Sequence, residues 1–251
     1  MARSSPRRVG VWLLGGLAAL AILVVGGTWL YIHVIEGPAP APLSLKSAPS
    51  SPAASAPAGS ASSAPSAAAP TTGTAATGTV AGTWHVTTGS IVGYRVNEVL
   101  AGQNNVAVGR TSAISGSMTI HGTTVRAASF TVQMATIKSD QSQRDEQFNT
   151  RIMDTASYPT GTLTLTAPIV LGPLPAAGAV RTYHATGKLT LHGQAKAVTF
   201  ALQAERVGRS LEVSGSIPIL FANWGIGNPS FGSFVTTQNH GELEFLVKFT
   251  R

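Results

Sequence analysis

The chain has 251 residues, no cysteine, a formal net charge of +7 and only 11% charged residues. That composition excludes disulfides, thiolate catalysis and cysteine-type zinc sites. It also argues against nucleic-acid binding, which needs a clustered basic face with interleaved aromatics; from residue 83 onward the surplus is only 13 Lys/Arg over 9 Asp/Glu, and it is scattered.

The first element is an uncharged run from Val9 to Ile35, preceded by Arg3, Arg7 and Arg8 and followed closely only by Glu36. As a helix the run is roughly 40 Å long, more than a hydrocarbon core of about 30 Å requires. The basic flank predicts residues 1–8 as a cytoplasmic tail, 9–35 as a transmembrane anchor, and an extracytoplasmic location for the rest. The competing reading is a cleaved secretory signal. The run is long for a signal's apolar region, and the Gly37-Pro-Ala-Pro-Ala-Pro exit is a poor cleavage substrate. Both readings export the C-terminal part.

Residues 36–82 are almost entirely Ala, Ser, Pro, Thr and Gly. Such a stretch carries too little bulky apolar surface to offset its ordering entropy, so it is expected to be a disordered linker. As a flexible coil it has a reach of about 35–40 Å.

Residues 83–251 have a period of two. Phe130, Val132 and Met134 alternate with Thr131 and Gln133, and Leu163 and Leu165 alternate with threonines. The pattern recurs from Tyr183 to Leu191, from Val198 to Ala204, from Leu211 to Ile217 and from Leu243 to Phe249. With Trp84–Val96 and Ser112–Ile120, about eight antiparallel strands with one buried face are predicted. Closure into a barrel removes exposed edges; a β-sandwich is the alternative, which alternation alone does not separate. Gly116-Ser-Met-Thr-Ile-His-Gly122 and Gly187-Lys-Leu-Thr-Leu-His-Gly193 read as matched hairpins turning on their His-Gly pairs. One segment breaks the rhythm: Ser139–Met153 is polar, with Phe148, Ile152 and Met153 at helical spacing, and predicts a short helix capped by Asp140 or Ser142 over one end of the barrel.

No catalytic constellation emerges: the sequence has no G-x-S-x-G, no H-E-x-x-H and no phosphate-cradling glycine loop. The glycine-rich stretch from Gly225 to Gly232 has the wrong spacing for a nucleotide fingerprint and reads as a loop. The histidines are dispersed, so neither metal nor cofactor is expected, and no enzymatic activity. Arg144, beside Asp145 and Glu146, is the candidate for an anionic head group because a guanidinium offers a rigid fork of donors. The competing role for this cluster is a local salt bridge.

From Thr83 to the C-terminus, the order of motifs resembles the YceI-like, polyisoprenoid-binding family. The matching pieces are Trp84-His-Val, Ile137-Lys-Ser139 with Arg144-Asp145, Tyr158-Pro159, Gly187-Lys-Leu-Thr-Leu-His-Gly193 and Trp224-Gly225-Ile226. The chain departs from the family pattern at Phe221 and Asn223 and near Asn97-Glu98. The resemblance implies an eight-stranded, lipocalin-like antiparallel barrel with an apolar channel for an isoprenoid or other long-chain lipid. Alternation then nominates the lining: Phe130, Val132, Met134, Leu163 and Leu165 on the first strands, and Leu189, Leu191, Phe200, Leu202, Val213 and Phe245 on the later ones. Phe148 and Trp224 join them as aromatics of the connecting segments. A second reading is a non-catalytic envelope interaction module with a filled barrel. The oligomeric state is not set by the sequence.

Overall fold

The computed structural model describes residues 39–46, 80–100, 102–232 and 235–251. The expected anchor and basic tail lie outside the described residues, as does most of the linker. Among the described residues, no helix is long and apolar enough to cross a membrane.

Twelve strands form one sheet: β1 (Gly82–Val86), β2 (Ile91–Leu100), β3 (Gln103–Thr111), β4 (Ile114–His121), β5 (Thr124–Gln133), β6 (Thr160–Leu165), β7 (Ile169–Val170), β8 (Arg181–Leu191), β9 (Gln194–Val207), β10 (Ser210–Leu220), β11 (Val235–Thr237) and β12 (His240–Thr250). Hydrogen bonding runs β1-β4-β5-β6-β8-β9-β10-β12 and returns from β12 to β1, so eight strands close a ring. The fold is a barrel, not a sandwich. Every pairing is antiparallel, which lets short turns join most neighbours.

The stretch Trp84–Val96 is two strands that together run like one. β1 and β2 lie antiparallel to β4 and β3 respectively, with Gly82 opposite Ile120 and Val92 opposite Thr111. Ser90 satisfies the break between them. Its Oγ donates to the Thr87 carbonyl at 2.7 Å and accepts from the Lys248 amide at 3.0 Å, in a site where the residue is 2% exposed.

The β8–β9 hairpin turns on His192 (φ 49°) and Gly193 (φ 72°), the left-handed pair that a two-residue primed turn demands. The β4–β5 hairpin instead turns on Gly122 and Thr123, because a register shift at Thr119/Ile120 moves the turn one residue past the expected His-Gly pair.

The segment between β5 and β6 covers one end of the tube. It contains a short helix α1 (Ser142–Gln147) and a π-helical turn at Phe148–Ile152. Neither Asp140 nor Ser142 caps it: the N-cap is Gln141, with no side-chain bond. Asp145 works from inside the first turn instead. Its Oδ1 accepts from the Ser139 amide at 2.7 Å and from the Ser139 hydroxyl at 2.8 Å, fixing the chain's approach to the helix. Phe148 is buried and stacks on Tyr94 of β2 with ring centroids 5.2 Å apart.

Part of the predicted linker belongs to the domain. Val80 is 4% exposed, and its carbonyl accepts from the Trp84 indole at 2.8 Å. Residues 39–46 lie on the barrel's outer wall, where Leu45 is 2% exposed. Beneath them is Glu244, an outward residue of β12 that is nevertheless 4% exposed. Glu244 holds Arg110 at 2.7 Å and Arg95 at 3.4 Å, and accepts from the Leu43 amide at 3.2 Å. The two guanidiniums also donate to the carbonyls of Pro40 and Ala41. Proline and alanine contribute backbone here, not side chains, and the composition of the stretch hides the contact.

Candidate lipid-binding cavity

The barrel is not filled. A cavity of about 1080 Å³ runs from Phe148, Met153 and Ile226 at the α1 end to Leu174, Tyr183 and Arg206 at the far end. This matches the upper range of small-molecule pockets, about 300–1,000 Å³. Alternation creates the lining: on each strand the residues that share register across the ring point inward. Phe130 is opposite Leu163, Leu163 opposite Leu189, and Val213 opposite both Ala204 and Val247.

Partial exposure marks these residues as cavity walls. Phe130, Val132, Leu163, Leu165, Leu202, Val213 and Phe245 point away from bulk solvent yet keep accessible surface, whereas Met134, Phe148, Leu189, Leu191 and Phe200 are buried at the α1 half. All twelve of these predicted lining residues border the cavity. Trp224 does not. It is 4% exposed in the turn after β10, packed outside the lining, and its carbonyl lies 3.1 Å from His192 Nδ1. Together with Tyr158, whose ring meets His192 edge-on at 4.6 Å, it braces the β8–β9 turn.

Small inward residues provide only part of the room. A Cβ built on Gly215 would meet the Phe245 ring at 2.8 Å and the Ala201 carbonyl at 2.9 Å, so that glycine makes space for a neighbouring ring and strand. Ala128, Ala185 and Ala204 border open volume.

The α1 end is polar at its rim. Arg144 borders the cavity but is held by carboxylates, with Glu98 at 3.2 Å and Asp140 one helical turn away. The salt bridge weighed as the competing role of this residue is present. Phe231 is 68% exposed at the same rim, and Phe234 lies outside the described residues.

Burial pushes the Tyr94 phenol well above its ordinary value; Arg144 pulls the other way, and Asp145, Glu98 and Asp140 add to the rise. Since the folded state holds this proton more tightly than the unfolded chain, the associated stability is complete below about pH 10 and is lost as pH climbs toward the raised value. Tyr94→Phe is therefore expected to flatten the alkaline loss of stability, and absorbance at 295 nm should show one fewer late-titrating tyrosine. An unchanged titration in that variant would contradict the assignment.

The described residues contain no group of three or more His, Asp or Glu able to hold a metal. The site is an apolar tube with polar ends.

A model of the YceI-like domain matches residues 72–249. The chain belongs to the YceI-like family. The match begins before Thr83, in keeping with the packing of Val80. No match was found among curated proteins. Among solved structures, the barrel is similar to a polyisoprenoid-binding domain from Saccharophagus degradans implicated in plant cell wall breakdown, at 15% identity and a TM-score of 0.54, covering 66% of this chain and 97% of that one. It also matches BcnA from Burkholderia cenocepacia at 22% identity, covering 62% and 95% of the two chains with a TM-score of 0.47. The Campylobacter jejuni YCEI protein matches at 15% identity over 54% and 82%, with a TM-score of 0.41.

Of the motifs that carry the YceI-like resemblance, Ile137, Arg144, Leu189, Leu191 and Ile226 border the cavity, and others close the fold. Trp84 sits in the far-end core with the Arg251 guanidinium 4.6 Å from its ring centroid. Ile137 is buried, Lys138 bridges to Arg110, and Tyr158 lies against the Gly193 turn. Sequence reasoning missed β3, whose consecutive residues Ala107, Val108 and Gly109 are all buried, so that it lacks clean alternation. It also passed over Arg206, an inward residue at the far end of β9.

Proposed function

We propose that this YceI-like protein is a membrane-anchored, extracytoplasmic lipid-binding protein that holds a polyisoprenoid or similar long-chain amphiphile without altering it covalently. The single observation that carries this reading is the apolar cavity of about 1080 Å³ bounded by inward residues of the ring strands. Each buried CH₂ contributes about 0.8 kcal/mol, so ten methylenes give roughly 8 kcal/mol gross, before the entropy of association is subtracted. That is enough to retain a chain and too little to make capture irreversible. The polyisoprenoid-binding description of the Saccharophagus degradans domain supports the same ligand class. The anchor reading rests on the uncharged run from Val9 to Ile35 and its basic flank.

The test is solvent extraction of the purified full-length protein followed by mass spectrometry. The expected result is a long-chain amphiphile at near one per barrel. Repeated extraction of nothing above the blank would return the chain to the interaction-module reading. Fractionation of cells with and without carbonate washing tests the anchor separately: the protein is expected to stay with the membrane.

A further inference from the structure

The far end of the cavity contains a cation that has no ion pair among the described residues. Arg206 stands opposite Leu211, which stands opposite Phe249, and both of these pack into the apolar interior. Register therefore turns Arg206 inward, and it borders the cavity. Its Nε is buried and has no hydrogen-bond partner among the described residues. Leaving such a donor unpaired costs about 1–3 kcal/mol, more for a charged group.

A second guanidinium sits beside it. Arg181 is opposite Ala204 and therefore diagonal to Arg206 across the β8–β9 pair, at a backbone separation of about 7–8 Å. It shares the strand parity of Tyr183, whose phenol burial pushes up while the Arg181 charge pulls it down, but it is exposed at the strand's end and stands outside the cavity lining. Among the described residues, neither guanidinium forms an ion pair. Strand parity turns Glu205 and Glu212 to the other face, where they stand opposite each other and Glu212 is held by Lys248 at 2.8 Å. Glu205 also borders the cavity, and its buried Oε2 has no hydrogen-bond partner among the described residues, so it is the one carboxylate that an anion here would have to tolerate. The neighbouring connection contributes Leu171, Leu174 and Pro175, all apolar side chains. Arg144 at the opposite end, by contrast, already has two carboxylates.

We propose that the far end is an anion site in which Arg206, assisted by Arg181, holds the phosphate or carboxylate head of an amphiphile whose chain runs along the barrel toward Phe148. This rests on the carrier reading and adds the ligand's charge and its direction. A guanidinium fork matches a phosphate or carboxylate oxygen pair, and such charge-assisted bonds are short and strong where water is excluded. One anion satisfies the unpaired Nε of Arg206 and can take a further donor from Arg181 at the mouth.

The test compares farnesyl phosphate, farnesol and inorganic phosphate by calorimetry on the full-length chain in phosphatidylcholine nanodiscs, with empty discs as blank. Wild type is expected to prefer farnesyl phosphate to farnesol by about 10–100-fold, the range of one or two charge-assisted bonds. Arg206→Gln should bring that ratio within about threefold while leaving farnesol affinity unchanged. Arg206→Met serves if the glutamine variant does not fold. Arg209→Gln removes the same charge from the adjacent turn and should keep the preference. Equal binding of the two lipids by wild type, or a preference that survives loss of Arg206, would overturn the head-group site alone. Inorganic phosphate competing as strongly as farnesyl phosphate would also overturn it, by showing an anion site that ignores the chain. Binding of neither lipid would remove the carrier reading and this one together.

Discussion

Phe200→Arg is expected to lower the amount of lipid retained per barrel at least about a hundredfold. Phe200 lies near mid-barrel on β9, opposite Ala185, and its ring meets Phe245 edge-on at 5.9 Å. A guanidinium there must either leave the cavity or remain unpaired in it, and an unpaired charge in an apolar space costs several kcal/mol. It also removes a ring that would contact the chain. Folding has to be separated from binding, because lost ligand lowers apparent stability by mass action alone. Both proteins are therefore compared after delipidation, by far-ultraviolet circular dichroism and thermal melting. Ala128→Trp provides an uncharged companion: it fills volume from the opposite wall, where Ala128 pairs with Met118 of β4. Both variants are expected to return empty in mass spectrometry. Wild-type lipid content in a folded Phe200→Arg protein would place the chain somewhere other than the barrel.

The ring was legible because most of its strands expose one face and bury the other. Leu163-Thr164-Leu165 alternates cleanly, Leu243–Phe249 does so but for Leu246, and each contributes a strand to the barrel. β3 was not legible for the opposite reason: packing on both sides removes the alternation, leaving Gly109 tight against Tyr94 and Ile137 as the mark of a crowded strand. The site divides in the same way. Inward apolar residues follow from parity, so the strand positions it nominated border the cavity, whereas Trp224 lies beyond the last strand position that parity controls. Arg144 drew notice as part of a charged cluster and a family motif. Arg206 stood near a turn, where an arginine ordinarily faces solvent. Only the register with Leu211 and Phe249 reveals which way it points.

Glu244→Ala is expected to release residues 39–46 from the barrel and to cost about 3–5 kcal/mol, the range seen when one partner of a buried ion pair is removed. The carboxylate is 4% exposed, takes Arg110 at 2.7 Å and Arg95 at 3.4 Å, and accepts from the Leu43 amide. Removing it leaves two cations facing each other and an orphaned amide. Loss of the carboxylate also loosens the hold of both guanidiniums on the Pro40 and Ala41 carbonyls. Urea melts with and without the substitution measure the cost. Proteolysis within 39–46 should become faster in the variant and stay slow in the wild type. On the proposed anchor, the contact also bears on where the domain sits. With the proposed span ending at Ile35, four backbone steps reach Ala39, at most about 14 Å. A free linker of residues 36–82 would have a reach of about 35–40 Å. If the proposed anchor spans the bilayer, the docked segment holds the barrel at its surface, within range of lipid exchange. Energy transfer from a dye on the barrel to labelled lipid in full-length reconstitutions should be high for wild type and fall for Glu244→Ala. Equal transfer in the two proteins, with proteolysis also unchanged, would show that residues 39–46 do not control the distance.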